Sequence, residues 1–127
     1  MSSFKQKINE RDCQVGIIGL GYVGVPLAIR VSEVGMPVLG FDIDQNLIDE
    51  LNVGKSSIKH IPDSSIQAMI DKKFQATTDF SLVEKCDVLV ICVPTPLNKS
   101  REPDLSYVVA TMKQMQPHFC KDQLLCL

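Results

Sequence analysis

The sequence predicts an α/β fold in which helices cover both faces of a doubly wound parallel sheet, forming a three-layer α/β/α domain. Short apolar runs alternate with amphipathic helical patterns between residues 13 and 127. The run from Val88 to Val93 is continuously apolar and rich in β-branched residues, as in strands buried on both faces of a parallel sheet. A glycine-rich turn joins the first strand to the first long helix. These observations predict a single domain of this class.

Residues 13–77 predict three strands and three helices. The strands are Cys13 to Ile18, Pro37 to Phe41, and Phe74 to Thr77. The first helix has an apolar face formed by Val23, Leu27, Val31 and Val34. The second is capped by Asp44 and stopped by Gly54. A third helix is predicted to span residues 64–73, because Ser64 and Gln67 match a capping box.

The second half predicts two further strands with a helix between them. The strands are Val88 to Val93 and Gln123 to Leu127. Ser81 with Glu84 forms a second capping box, which predicts a brief helix before the first of these strands. Pro103 and Asp104 open a longer helix with an apolar face of Leu105, Val108, Val109, Met112 and Met115. Residues 1–12 are polar and charged, and we interpret them as a segment preceding a domain at 13–127.

Composition and charge narrow the classes of partner. A net charge of −2 and a pI near 5.6 argue against nucleic acid, because phosphate binding usually requires a basic excess. The apolar runs are far shorter than the ~18 residues that a membrane span needs. The polar start has no apolar signal-peptide core. We therefore expect a cytoplasmic protein with no membrane or nucleic-acid partner.

The cysteines and histidines predict neither a metal site nor a catalytic set. The five cysteines stand at positions 13, 86, 92, 120 and 126, an odd number without a C-x-x-C pair. We interpret them as free thiols that behave as small buried hydrophobes. His60 and His118 have no partner at ligand spacing and are interpreted as surface or loop residues. We predict no catalytic residue within this chain.

A G-x-G-x-x-G turn is the most informative stretch of the sequence. It consists of Gly19, Leu20, Gly21, Tyr22, Val23 and Gly24. Asp42 ends the next strand, 23 residues after Gly19. This arrangement is typical of dinucleotide binding, with the pyrophosphate at the start of the helix and the acid on a ribose. The carboxylate disfavours a 2′-phosphate, so the pattern predicts NAD rather than NADP.

A third segment is predicted to reach the same ligand, after the fourth strand. That strand lies beside the first across the point where strand order reverses, so Val93, Pro94 and Thr95 would face the cofactor. The alternative is that Pro94 and Pro96 only terminate the strand. Arg101, just past this proline turn, is the candidate substrate contact, with a solvated loop as the alternative. The local pattern is also compatible with a glycine turn that binds no ligand, with an FAD site, and with an S-adenosylmethionine site.

Several further blocks of sequence occur in order along the chain. They are residues 18–28, Gly40-Phe41-Asp42-Ile43-Asp44, Leu51-Asn52-x-Gly54, Cys92-Val93-Pro94-Thr95-Pro96-Leu97 and Pro103-Asp104-Leu105-Ser106-Tyr107. Together they resemble the amino-terminal, Rossmann-type domain of the UDP-glucose/GDP-mannose dehydrogenase family, over residues 13–127. His60-Ile61-Pro62 and residues 98–104 are most similar to its UDP-N-acetylglucosamine 6-dehydrogenase branch.

The resemblance implies part of an enzyme that oxidises the C6 hydroxyl of a nucleotide sugar, with UDP-N-acetylglucosamine as the expected substrate, using two NAD⁺. It places Gly19 to Gly24 at the pyrophosphate, Asp42 at the ribose and Thr95 near the nicotinamide. Leu47 departs from the family pattern, because many members carry a basic residue five positions after the ribose-binding acid.

The resemblance also implies that the catalytic cysteine, the lysine and the sugar-nucleotide domain lie beyond Leu127. We therefore expect this chain alone to bind NAD⁺ without turnover, and the full-length enzyme to be a homo-oligomer. The alternative from another class is a complete, non-catalytic nucleotide-binding or redox-sensing module.

Overall fold

The central element of the fold is a five-stranded, all-parallel sheet in the order β3-β2-β1-β4-β5. The structure is a computed structural model that describes residues 4–127. The strands are β1 (Val15–Ile18), β2 (Val38–Phe41), β3 (Gln75–Thr77), β4 (Val88–Ile91) and β5 (Leu124–Cys126). Strand order reverses between β1 and β4, so the predicted doubly wound sheet is confirmed.

Helices connect every pair of successive strands. Helix α1 (Phe4–Asn9) precedes β1. The connecting helices are α2 (Gly24–Glu33), α3 (Gln45–Asn52), α4 (Asp63–Asp71) and α5 (Ser106–Met115), with 3₁₀ helices at Phe80–Lys85 and Gln116–His118. Among the described residues, no helix is long and apolar enough to cross a membrane.

Two apolar cores lie on opposite faces of the sheet. One packs α2, α3 and α4 against it, through residues such as Ala28, Leu51 and Ile66, all fully buried. The other packs the 80–85 helix and α5 through Val83 and Met115. The sheet is therefore the middle of three layers, and its carboxyl edge opens between helices from both faces.

The register aligns the strand ends that matter for the site. Ile18 of β1 is level with Phe41 of β2 on one side and with Ile91 of β4 on the other. The chain therefore leaves these three strands at one edge of the sheet. Segments that are far apart in sequence meet there.

Both predicted capping boxes are wrong. Helix α4 begins at Asp63, one residue before Ser64, and Pro62 precedes it in an extended conformation without a side-chain cap. The 80–85 helix is capped by Asp79, whose carboxylate accepts hydrogen bonds from the Ser81 N–H at 3.0 Å and hydroxyl at 2.6 Å. Asp79 lies two residues before Ser81 and immediately precedes the helix, and its charged oxygen is the stronger acceptor.

Three further expectations need correction. The apolar face predicted for α5 is only partly buried: Met115 is fully buried, whereas Leu105 and Val109 are about half exposed. Cys120 is likewise exposed, although Cys13 and Cys86 are buried as expected. The segment interpreted as a polar lead-in contains α1, which the sequence did not predict.

Candidate functional site

A cleft of about 470 Å³ opens at the carboxyl edge of the sheet, where β1, β2 and β4 end. Nine of the ten residues predicted to hold a cofactor line it: Gly19, Leu20, Gly21, Tyr22, Val23, Asp42, Val93, Pro94 and Thr95. The tenth, Gly24, is buried behind the turn. The structure thus brings the three predicted segments together around one cavity.

Two glycines of the turn are required by the chain's own packing. Gly19 adopts φ +98°, and a Cβ there would lie 2.8 Å from the carbonyl oxygen of Cys92. A Cβ on Gly24 would overlap the carbonyl oxygen of Gly19. These two glycines let β1 turn sharply and let α2 start against the strand.

Gly21 differs, because nothing in the protein explains the missing side chain. A Cβ built there meets no atom within 4 Å, and its φ lies outside the left-handed region. The space beside Gly21 belongs to the cleft. A bare backbone at this point suits the close approach of a ligand, which is what a pyrophosphate requires.

The start of α2 offers backbone donors to that ligand. Val23 precedes the helix without any side-chain cap, although its carbonyl accepts from Leu27 N–H. Within the described part of the chain, the N–H groups of Gly21, Tyr22 and Val23 donate no hydrogen bond. Unpaired N–H groups at the positive end of a helix form an anion site, so these residues fit a phosphate group.

Asp42 is held rigidly at the opposite wall of the cleft. Its Oδ2 accepts the Leu20 N–H at 2.8 Å and its Oδ1 accepts the Asp44 N–H at 3.1 Å. An ionised carboxylate accepts about four hydrogen bonds, so the half-buried group retains capacity toward the cleft. A fixed acceptor beside an anion site suits the hydroxyls of a ribose.

The segment after β4 completes the cleft. The Cys92 N–H donates to the Ile18 carbonyl at 2.7 Å, which ties this segment to β1. Thr95 follows on exposed chain between two prolines. Arg101 lies farther along, at the exposed tip of a loop with φ +60°, and does not line the cleft. Its contact with a substrate stays a prediction.

Sequence reasoning missed several lining residues that come from other elements. They are Ile18, Phe41, Ile43, Leu47, Phe80, Cys92, Tyr107 and Thr111. Phe80, Tyr107 and Thr111 belong to helices on the face opposite α2, so no local spacing pointed to them. Leu47, noted as a departure from the family pattern, supplies an apolar wall where a basic side chain was expected.

The thiols of Cys86 and Cys92 are not activated. Burial raises the pKa of the half-buried Cys92 thiol, and it raises the pKa of Cys86 to about 12. Both are therefore protonated at neutral pH and are poor nucleophiles. Among residues 4–127, no group of three or more His, Cys, Asp and Glu side chains is placed to hold a metal ion.

The family follows from the comparison with known proteins. The NAD binding domain of the UDP-glucose/GDP-mannose dehydrogenase family matches residues 13–127. This chain belongs to that family. Its cofactor is NAD, as the family resemblance predicted. The FAD and S-adenosylmethionine alternatives are not supported by this match.

Curated relatives in the UDP-glucose/GDP-mannose dehydrogenase family are much longer than this chain. It is 35% identical over 99 residues to a UDP-N-acetyl-D-glucosamine 6-dehydrogenase of Pseudomonas aeruginosa, covering 78% of this chain and 23% of the relative. It is 34% identical over 120 residues to a UDP-N-acetyl-D-mannosamine dehydrogenase of Campylobacter jejuni, covering 90% of this chain and 28% of the relative. The chain thus spans about a quarter of each.

Solved structures in the UDP-glucose/GDP-mannose dehydrogenase family share the fold. The UDP-D-ManNAc dehydrogenase of Pyrococcus horikoshii superposes with a TM-score of 0.81 at 29% identity, over 88% of this chain and 27% of that one. A ternary complex of GDP-mannose dehydrogenase from Pseudomonas aeruginosa superposes with a TM-score of 0.76 at 34% identity, over 82% of this chain and 24% of that one. Family membership and fold therefore agree.

Proposed function

We propose that this chain is the NAD-binding domain, at 13–127, of a nucleotide-sugar 6-dehydrogenase. The enzyme would convert a C6 alcohol and water, with two NAD⁺, into a carboxylate, two NADH and three protons. We infer that the substrate is UDP-N-acetylglucosamine, which the Pseudomonas relative's name and the 60–62 and 98–104 blocks support. We place the enzyme in the cytoplasm as a homo-oligomer, without nucleic-acid or membrane partners.

In this proposal each segment of the cleft binds a different part of the cofactor. The backbone from Gly19 to Gly24 receives the pyrophosphate, and Asp42 accepts hydrogen bonds from the adenosine ribose. Val93, Pro94 and Thr95 lie toward the nicotinamide, and Arg101 contacts the sugar nucleotide. The catalytic groups belong to the part of the relatives that this chain does not cover. The observation that carries the proposal is the open space at Gly21 facing the anchored carboxylate of Asp42.

A substitution at Asp42 tests the cofactor site. We expect Asp42→Ala to raise the dissociation constant of NAD⁺ at least tenfold, measured by isothermal titration calorimetry. The physical reason is the loss of hydrogen bonds to a charged acceptor, worth about 1.5–3 kcal/mol each. Asp49→Ala on the exposed surface of α3 removes the same charge away from the cleft and is the matched control. An equal affinity in wild type and Asp42→Ala would remove Asp42 from the site.

The proposed reaction is tested by absorbance at 340 nm. A polypeptide of these 127 residues, mixed with NAD⁺ and UDP-N-acetylglucosamine, should bind cofactor without sustained NADH production. The longer protein containing this domain should form two NADH per sugar oxidised. Sustained turnover by the 127 residues alone would contradict the assignment of catalysis to another domain. If the longer protein did not oxidise UDP-N-acetylglucosamine, the proposed substrate would be wrong.

A further inference from the structure

Both tyrosines of the chain line the cofactor cleft, and they approach it from opposite faces of the sheet. Tyr22 lies in the turn before α2, and Tyr107 lies in the first turn of α5. Their exposed fractions are 75% and 47%, high values for aromatic residues. The glycine motif already contains Tyr22. Tyr107 belongs to no predicted site, although its side chain borders the same cavity.

The start of α5 is tied to the proline segment of the cleft. The Asp104 N–H donates to the Pro96 carbonyl at 2.7 Å, and the Asp104 carboxylate accepts the Ser106 N–H at 2.9 Å. Hydrogen bonds from Ser106 hold the pKa of Asp104 below its ordinary value, so this anchor is charged at neutral pH. The hydrogen bond between Asp104 and Pro96 therefore links the segment that carries Thr95 to the start of the helix that carries Tyr107.

The strand order places this segment at the end of the cleft away from Asp42. β2, which Asp42 follows, and β4, which leads to Thr95, lie on opposite sides of β1. Neighbouring strands are about 4.8 Å apart, so the two ends are separated by roughly 10 Å, with the glycine turn between them. A dinucleotide with its adenosine ribose at Asp42 and its pyrophosphate at Gly21 extends toward Tyr107.

The polar groups here leave Tyr107 as the ligand contact on α5. Thr111 also lines the cleft, but its hydroxyl donates its proton to the Tyr107 carbonyl at 2.7 Å, so toward a ligand it can act only as an acceptor. The phenol hydroxyl of Tyr107 makes no hydrogen bond to the residues that the structure describes. The ring is thus a flat apolar surface with a free polar tip, which suits a planar heterocycle.

We propose that Tyr107 packs its ring against the nicotinamide half of NAD and so sets the position of that half in the cleft. This inference rests on the NAD site of the proposed function and adds a contact from the second helical layer. The ring supplies the contact, and the hydroxyl is secondary. Tyr107 therefore distinguishes NAD⁺ from ligands that lack nicotinamide.

Titration calorimetry with NAD⁺ and ADP-ribose tests the contact, because ADP-ribose has the same adenosine, pyrophosphate and second ribose without nicotinamide. We expect Tyr107→Ala to raise the dissociation constant of NAD⁺ about fivefold and that of ADP-ribose less than twofold. Tyr107→Phe keeps the ring and should keep NAD⁺ affinity within about twofold of wild type. Tyr107 is half exposed, so both variants should fold.

Val109→Ala is the matched control, since Val109 is half exposed on the same helix and does not line the cleft. It should leave both dissociation constants unchanged. The inference is overturned if Tyr107→Ala weakens the binding of NAD⁺ and ADP-ribose equally, or if it weakens the binding of neither. It is also overturned if Tyr107→Phe loses as much NAD⁺ affinity as Tyr107→Ala. A wild-type chain that binds neither ligand would instead overturn the proposed NAD site itself.

Discussion

At the scale of single residues, the three glycines of the β1–α2 turn have different physical roles. Gly19 and Gly24 are small because the backbone of this chain leaves no room for a side chain. Gly21 is surrounded by open space, so folding does not require glycine there. The packing of the chain therefore requires glycine at positions 19 and 24 but not at position 21, and substitutions distinguish the two cases.

Alanine at Gly21 should weaken binding without weakening the fold. We expect Gly21→Ala to raise the NAD⁺ dissociation constant tenfold or more, because the methyl group enters the pyrophosphate space, while the free energy of unfolding changes by less than about 0.5 kcal/mol. Gly24→Ala should instead destabilise the chain by about 1–3 kcal/mol, because its methyl overlaps a backbone carbonyl. Urea denaturation and titration calorimetry measure the two effects. A destabilised Gly21→Ala would contradict the distinction.

At the scale of elements, α3 protects the outer edge of the sheet. β3 is an edge strand, and the Asn52 side chain at the end of α3 forms two hydrogen bonds with its Ala76 backbone. Nδ2 donates to the carbonyl at 2.9 Å, and Oδ1 accepts the N–H at 3.0 Å. One side chain thus replaces the pairing that a sixth strand would give at this position, which limits edge-to-edge association.

Removing this side chain should loosen β3. We expect Asn52→Ala to lower the free energy of unfolding by about 1–2 kcal/mol, because two hydrogen bonds of roughly 1 kcal/mol each are lost and water replaces them only in part. Asn46→Ala on the same helix, where the side chain is exposed, should change it by less than about 0.5 kcal/mol. Urea denaturation compares the two, and equal effects would contradict the role of Asn52.

At the scale of the whole molecule, an ion pair ties α1 to the amino end of the sheet, opposite the cleft. Lys7 of α1 forms an ion pair with Asp87 at 2.8 Å, and Asp87 also accepts the Gln14 N–H at 2.9 Å. Burial acts to raise the pKa of Asp87, but the hydrogen bonds from Lys7 and Gln14 and the charge of Lys7 outweigh it and hold that pKa below its ordinary value. One carboxylate therefore joins α1, β1 and β4.

This carboxylate should make stability depend on pH. Because its pKa is lower in the folded chain than the unfolded value of about 3.9, Asp87 stabilises the fold fully above about pH 5. The contribution is lost as pH falls through the folded pKa. We expect Asp87→Asn to lower the urea midpoint at pH 7, and the difference from wild type to shrink below about pH 4. A difference that is constant from pH 7 to pH 3 would contradict this.

Local patterns predicted those parts of the site that depend on neighbouring residues in the chain. The glycine spacing and Asp42 were predicted from the order of strand, tight turn, helix and second strand along the chain, and the structure places Gly19, Gly21 and Asp42 in the lining of the cleft. Both capping boxes failed, since Ser64 and Ser81 matched a motif whose geometry Pro62 and Asp79 already determine. A short motif does not decide which of several adjacent residues becomes the cap.

The sequence by itself determined the α/β class, the order of the five strands along the chain, the family and the NAD cofactor. Each of these is encoded in hydrophobic periodicity or in short blocks of residues that occur in order along the chain. Only the tertiary structure decided that Tyr107, Thr111 and Phe80 join the cleft, that Asn52 holds β3, and that Lys7 reaches Asp87. These contacts arise from packing helices on two faces of one sheet, which brings together side chains that no local pattern relates.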